Sequence, residues 1–231
     1  MQHGQLSREI LQRVVWLRGQ LLCWFEHHRR SFPWREPGRS AYGLAVAEIL
    51  LQRTTAAGVA RAFPGLIARY PTWEVMARTS LEELQALLHP LGLWRQKAQV
   101  LINLANAVEK RGGELPCSRH DLERLPGVGP YTASVVMVEV FGLQEPFVDV
   151  NMSRVLSRFF GTQTCATTAG SASLYTLAFH LVSCERCLSV NWAVLDFAAL
   201  VCRARSPLCQ ECLLWKECQF VKGDTASLDG G

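Results

Sequence analysis

The chain has 231 residues, 49% of them hydrophobic, and carries a formal net charge of +4 at pH 7. This length allows one large domain or two small ones, and so large an apolar fraction excludes an intrinsically disordered chain. The mild positive charge is compatible with DNA binding but does not require it. No apolar run reaches the roughly 18 residues of a transmembrane helix, and the first residues lack the apolar core of a signal peptide. We therefore expect a cytoplasmic protein without membrane contact.

Helical periodicity runs through nearly the whole chain. Apolar residues recur at helical spacing over 10–25, and a mostly apolar helix is predicted over 42–55. Ser80 and Glu83 form a capping box that starts a helix over 80–88. No alternating run bounded by hairpin turns indicates a sheet, so the predicted fold class is all-α. Further helices are predicted over 93–110, 120–124, 131–141, 151–160, 171–182 and 191–203.

Four cysteines stand close together near the end of the chain, with the spacing C-x6-C-x2-C-x5-C. Four thiolates satisfy either an iron–sulfur cluster or a tetrahedral zinc ion. Zinc sites usually offer two close pairs, and only one close pair is present here. The spacing therefore favours a cluster, with zinc as the alternative and disulfides third. These residues are Cys202, Cys209, Cys212 and Cys218.

The stretch LPGVGPYTA, at 125–133, is typical of a tight turn between two helices. Gly127 and Gly129 permit a positive φ and the close approach of another backbone. Pro130 suits the first position of a helix, where its missing N–H costs nothing. The turn then presents free N–H groups at a helix N-terminus, and a DNA phosphate is the natural anion to bind them. The alternative is an ordinary helical hairpin with a glycine turn.

Asp149 lies just before the helix predicted over 151–160. An aspartate at this place is most often an N-cap, and the alternative is a functional carboxylate. Arg154 and Arg158 stand four residues apart on the same helix. They are predicted either to face solvent or to contact phosphates.

Glu48 is an acid within an apolar helical stretch. It is either a buried partner for an arginine such as Arg35, or a carboxyl group whose desolvation raises its pKa so that it can donate a proton. Two acids that converge on one cleft are suited to breaking an N-glycosidic bond. One stabilises the positive charge that develops on the sugar, and the other helps the base to leave.

Taken together, LPGVGPYTA, FVDVN (147–151) and the four spaced cysteines resemble the helix-hairpin-helix DNA glycosylase superfamily, in its endonuclease III and adenine glycosylase branch. The resemblance implies that Asp149 is the catalytic aspartate, that the cysteines hold a [4Fe-4S] cluster, and that a base is flipped out of the duplex before excision. It also implies two helical domains that flank a DNA-binding cleft. The six-helix barrel domain would span 35–146 with its helix-hairpin-helix at about 120–141. The iron–sulfur domain would span 1–34 and 147–231, with the cluster loop at 202–218.

Individual positions separate the branches of this superfamily. Bifunctional endonuclease III enzymes carry a catalytic lysine where this chain has Tyr131, and a tyrosine cannot form a Schiff base. Tyr131 and the RTT tract at 53–55 resemble the thymine/uracil G-mismatch branch, which shares Asn151 with the adenine branch. Gln52 departs from the mismatch branch, which can have arginine there. After the cysteines we expect no domain of the kind by which adenine glycosylases read the opposing oxidised guanine.

The resemblance thus predicts a monofunctional, monomeric and nucleoid-associated DNA glycosylase, which releases thymine or uracil opposite guanine from double-stranded DNA with a mismatched or damaged base. Adenine excision opposite guanine or oxidised guanine, or excision of another modified pyrimidine, is the enzymatic alternative. A non-catalytic protein that binds distorted DNA is the alternative from another class. Cys184 and Cys187, outside the cluster loop, are interpreted as unliganded rather than as redox or metal residues. The predicted catalytic residues are Asp149, Glu48, Tyr131 and Asn151. The predicted DNA contacts are Gly127, Val128, Gly129, Thr132, Gln52 and Arg53, with the last two as candidates for the wedge into the duplex.

Overall fold

A computed structural model describes residues 6–162 and 172–226, and every regular element in these ranges is a helix. The predicted all-α class is confirmed. Two short 3₁₀ turns lie at Pro33–Arg35 and Cys209–Glu211. None of the described helices is both long and apolar enough to cross a membrane. The α-helices are α1 (Arg8–His28), α2 (Ala41–Leu51), α3 (Ala56–Arg69), α4 (Trp73–Ala77), α5 (Leu81–Leu88), α6 (Trp94–Glu109), α7 (Arg119–Glu123), α8 (Pro130–Glu139), α9 (Val150–Phe160), α10 (Ala172–Val182), α11 (Cys187–Leu200) and α12 (Gln219–Ala226).

The chain forms two compact units. One is the continuous segment Ser31–Gly142, and the other combines the described parts of Met1–Arg30 and Leu143–Gly231. The predicted division into a barrel domain and an iron–sulfur domain, with bounds at 34/35 and 146/147, stays a prediction.

Polar caps fix where the helices of the Ser31–Gly142 unit begin. Ser40, Thr55, Thr72, Ser80 and Ser118 each accept a hydrogen bond from a backbone N–H of the first turn that follows. A cap of this kind is worth about 1 kcal/mol. The helix start that was predicted at residue 80 is confirmed.

Helix α2 lies at the centre of this unit. All nine residues of 42–50 are buried, since α2 packs against α3, α6 and α8. The short helices α4 and α5 pack against α6 and extend the same apolar core. This packing explains why Glu48, in the middle of α2, is only 7% exposed.

In the second unit, α1 packs against α10 and α11, and α9 packs against α10, α11 and α12. Buried polar groups hold the connecting segments. Asp196 is fully buried and accepts hydrogen bonds from the backbone N–H and the Nε of Arg30, at 2.9 and 2.8 Å. Asn191 is equally buried, and its Oδ1 accepts from the N–H of Phe147 at 2.7 Å. Asn191 therefore anchors the segment that leads into Asp149.

Several predicted helix bounds are wrong. The helix predicted over 42–55 ends at Leu51, because Arg53 adopts a left-handed conformation with φ of 55°. The helix predicted over 191–203 begins at Cys187 and ends at Leu200. The helix predicted from residue 171 is described only from Ala172, and residue 171 lies outside the described residues.

Candidate active site and iron–sulfur site

The turn at 126–129 depends on the absence of a side chain at Gly127. Its φ is +77°, and a Cβ there would lie 2.3 Å from Val100 Cγ1 and 2.8 Å from Ile49 Cδ1. The expectation of positive φ is wrong for Gly129, which is extended with φ of −93° and caps α8. Nothing lies within 4 Å of a Cβ built at Gly129, and both glycines are exposed. The turn therefore leaves room for another molecule's backbone.

The remaining residues of the turn are less accessible. Val128 is 6% exposed, and its N–H already donates to the carbonyl of Leu125 at 3.1 Å. Thr132 is 3% exposed. Pro130 is the first residue of α8, as expected. The exposed glycines therefore present backbone at the surface of this turn.

The loop between α2 and α3 is tied to the same turn. Gln52 and Arg53 are exposed, and Gln52 Nε2 donates to the carbonyl of Gly127 at 2.8 Å. Two of the predicted DNA contacts, Gln52 and Gly127, are thus brought into direct contact.

The buried side chain of Lys97 binds this loop. Lys97 is not among the site residues predicted from the sequence. The residue is 4% exposed, and its Nζ donates at 2.6 Å to both the carbonyl of Gln52 and Thr54 Oγ1. Burial lowers the pKa of Lys97. The available signal was a lysine on the apolar face of α6, directly before Ala98 and one turn before Leu101.

Glu48 has the electrostatics of a proton donor. Burial in α2 raises the pKa of its carboxyl group to about 7, although the positive charges of Arg35 and Arg39 act in the opposite direction. A substantial fraction of Glu48 is therefore protonated at neutral pH. Tyr131, in the first turn of α8, is half-buried. A phenol therefore occupies the position at which a lysine is expected in bifunctional enzymes.

Asp149 is the N-cap of α9, so its interpretation as a helix cap is confirmed. Its Oδ1 accepts from the N–H groups of Asn151 and Met152 at 2.9 and 2.8 Å, and its Oδ2 accepts from Asn151 Nδ2 at 2.5 Å. Burial raises the pKa of Asp149, while these hydrogen bonds and the charge of Arg154 lower it. The cap fixes the orientation of the carboxylate.

Arg154 and Arg158 both bind the loop that carries the cysteines. Arg154 donates to Asn151 Oδ1 at 3.0 Å and to the carbonyl of Cys202 at 2.9 Å. Arg158 donates to the carbonyl of Arg203 at 2.7 Å and approaches Cys202 Sγ at 3.5 Å. A continuous set of hydrogen bonds therefore runs from Asp149 to the first of the four cysteines.

The four cysteines line one largely apolar cavity, together with Phe159 and Leu214. Burial, and then the proximity of the other three cysteines, raises the pKa of Cys212 to about 11. Within residues 6–162 and 172–226, no group of three or more His, Cys, Asp or Glu side chains is arranged to hold a single metal ion. Four thiolates around one cavity are the ligand set of an iron–sulfur cluster, and also that of a structural zinc ion. The donor set fits an iron–sulfur cluster.

Comparisons with known proteins give the family. The model of the HhH-GPD superfamily base excision DNA repair proteins matches residues 46–173. A thymine-DNA glycosylase from Aeropyrum pernix is 35% identical over 92% of this chain and 97% of that protein. A thymine/uracil-DNA glycosylase from Methanothermobacter thermautotrophicus is 35% identical over 87% of this chain and 91% of that protein. An adenine DNA glycosylase from Homo sapiens is 34% identical over 93% of this chain, which spans 41% of that protein.

Solved structures agree. A thermostable thymine-DNA glycosylase superposes with a TM-score of 0.83 at 32% identity, covering 92% of this chain and 98% of that one. An endonuclease III in a non-covalent complex with DNA superposes with a TM-score of 0.80 at 26% identity, covering 96% of this chain and 100% of that one. The chain therefore belongs to the HhH-GPD superfamily of base excision DNA repair proteins.

Proposed function

We propose that this glycosylase hydrolyses the N-glycosidic bond of thymine or uracil mispaired with guanine, as a monomer on double-stranded DNA. The observation that carries the choice of base is the match to thymine/uracil-DNA glycosylases over nearly their whole length. The adenine glycosylase from Homo sapiens matches over a similar share of this chain, at 34% identity. Adenine excision is therefore the second candidate.

Two carboxyl groups have separate roles in the proposed reaction. Asp149 is held by two backbone N–H groups and by Asn151 Nδ2. As a carboxylate it stabilises the positive charge that develops on the sugar as the bond lengthens. Glu48, protonated near neutral pH, donates a proton to the departing base. Water then adds to C1′ of the sugar, and the proton that it loses passes through solvent to the Glu48 carboxylate. The products are the free base and an abasic site, and Glu48 is protonated again.

The absence of strand cleavage follows from Tyr131. A phenol cannot form the imine on which a covalent lyase reaction depends. Lys97 does not substitute for the missing amine, since it is buried and its Nζ donates to Gln52 O and Thr54 Oγ1. Borohydride should therefore trap little covalent adduct with DNA.

DNA would be bound by exposed backbone and by the adjoining loop. The N–H groups at the start of α8, with the open Gly129, suit a phosphate. Gln52 and Arg53, on the loop that Gln52 ties to Gly127, are candidates for the wedge that fills the space of the flipped base. The buried side chain of Val128 takes no direct part in this arrangement.

Cys202, Cys209, Cys212 and Cys218 would hold a [4Fe-4S] cluster. Such a cluster would supply four iron–thiolate bonds that fix the loop at 202–218, and no catalytic step passes through it. Arg154 and Arg158 bind the backbone of that loop and join it to α9.

A panel of mispairs tests the proposed substrate. Single-turnover excision is measured on otherwise identical duplexes that contain T:G, U:G, A:G, A opposite oxidised guanine, and T:A. We expect rapid release of thymine and uracil opposite guanine, slow release of adenine from A:G, and no action on T:A. A mispaired base costs less to extrude than a paired one, which favours this order. Faster release of adenine than of thymine and uracil would establish the second candidate instead.

A further inference from the structure

Two cysteines outside the cluster loop form a turn of their own. Cys184 and Cys187 stand three residues apart, and Cys187 is the first residue of α11. The N–H of Cys187 donates to the carbonyl of Cys184 at 3.1 Å. A turn closed in this way brings the two Cα atoms within about 7 Å of each other. Cysteines joined by a disulfide have Cα separations of about 4.4 to 6.8 Å, so the backbone already holds the pair near bridging distance.

Three neighbouring residues, Gln144, Glu145 and Asn191, contact this turn. Gln144 Nε2 donates to the carbonyl of Cys184 at 3.2 Å. Asn191 Nδ2 donates to the carbonyl of Cys187 at 3.2 Å and lies 3.6 Å from its sulfur. Cys187 Sγ also lies 3.9 Å from the carbonyl of Glu145. The backbone of the pair is therefore held near bridging distance, which reduces the entropy lost when a bridge forms.

The two thiols differ in accessibility. Cys184 is half-buried, whereas Cys187 is 6% exposed. Burial raises the pKa of the Cys187 thiol, and the neighbouring Cys184 raises it further. Cys184 is thus the sulfur that a small reagent reaches first, and Cys187 is the sulfur that resolves the product.

We propose that Cys184 and Cys187 form a reversible disulfide by exchange with a small-molecule disulfide such as oxidised glutathione. The Cys184 thiolate attacks one sulfur of the reagent and releases one thiolate, which leaves a mixed disulfide. Cys187 then loses its proton to solvent and attacks Cys184 Sγ, which releases the second thiolate. Two electrons pass from the cysteines to the reagent, and the released thiolates take up the two protons.

The exposed cysteines of the same chain provide internal controls. Cys23 and Cys117 are both exposed, so a reaction governed by access alone would modify them before Cys184. Neither has a cysteine three residues away in the sequence, so neither belongs to a closed turn like the one that joins Cys184 and Cys187. The second step at Cys184 is intramolecular, and bridging there should be complete in redox buffers where Cys23 and Cys117 carry little glutathione.

Redox titration with peptide mapping tests the proposal. The purified protein, with its iron content measured before and after, is equilibrated in buffers of reduced and oxidised glutathione, alkylated and digested with trypsin. Arg186 lies between the two cysteines, so trypsin separates them into peptides that only a bridge holds together. We expect a linked pair that has lost two hydrogens, assigned to Cys184 and Cys187 by fragmentation, and that returns to free thiols with excess reduced glutathione.

The Cys184→Ser variant provides the matched control, because it keeps the backbone turn and removes one sulfur. Its linked peptide should disappear while iron content and unfolding midpoint stay unchanged. A linked peptide that persists in this variant would overturn the proposal, because it would come from another cysteine. Full alkylation of Cys184 and Cys187 in wild type, in buffers that already modify Cys23 and Cys117, would also overturn it. So would a stable glutathione adduct at Cys184 without a bridge.

Discussion

The buried carboxyl group of Glu48 should make folding stability depend on pH in a defined window. Burial raises the pKa of Glu48 from its ordinary value of 4.5 to about 7 in the folded chain. Below pH 4.5 the group is neutral in both the folded and the unfolded chain. Between pH 4.5 and 7 the unfolded chain ionises while the folded chain keeps its proton, so the free energy of unfolding falls as pH rises. The shift corresponds to a loss of about 3 kcal/mol, which levels off above pH 7.

The Glu48→Gln variant isolates this contribution, because glutamine does not ionise. Urea unfolding of wild type and variant at pH 5 and pH 8 gives four free energies. We expect wild type to lose about 2.5 kcal/mol more than the variant between the two pH values, because the first part of the loss has already occurred at pH 5. Glu82→Gln, at an exposed position on α5, provides the control and should leave the pH dependence unchanged.

The same titration should appear in catalysis. If Glu48 donates a proton, the single-turnover rate of wild type falls about tenfold per pH unit above pH 7, and the slow rate of Glu48→Gln stays flat. Equal pH dependence of stability in wild type and Glu48→Gln would refute the electrostatic argument. A wild-type rate that does not fall above pH 7 would refute the role as proton donor.

Three further changes test the surrounding structure. Gly127→Ala should cost roughly 1–3 kcal/mol of stability, because its φ is +77° and its Cβ would collide with Val100, whereas Gly129→Ala should unfold like wild type in the same urea titration. Lys97→Met should lose two hydrogen bonds to the loop after α2. Its affinity for duplex DNA, measured by titration, should fall clearly, while its melting temperature should change little. Cys212→Ser should reduce iron per chain, as measured by colorimetric iron assay, and should lower soluble yield.

The parts of the fold that local patterns determine could be predicted, and those that packing determines could not. The cap at Ser80 follows from a four-residue pattern. Helix α3 escaped prediction because Pro64 lies inside it, and this residue ordinarily ends a helix. Burial of Val59, Phe63 and Leu66 in the core outweighs that penalty.

The same distinction applies to the candidate site. Glu48 and the four cysteines are visible in the sequence, because their residue types and positions are unusual for their surroundings. Asp149 is visible as a residue that commonly precedes a helix. The contacts of Lys97 with Gln52 and of Arg154 with Cys202 join positions 45 and 48 residues apart. Such contacts depend on tertiary packing, which a single sequence does not reveal. The left-handed backbone of Arg53 is of the same kind, since nothing local requires it.

The central claim is that Asp149 performs the excision, and the Asp149→Asn variant tests it most directly. The side-chain oxygen of asparagine can still accept hydrogen bonds from the N–H groups of Asn151 and Met152, so the helix cap and the fold should survive. Single-turnover release of thymine from a T:G duplex should fall on the order of a hundredfold or more, while duplex affinity measured in parallel stays close to that of wild type. Near-wild-type excision by this variant would show that Asp149 is a helix cap alone, and would contradict the mechanism.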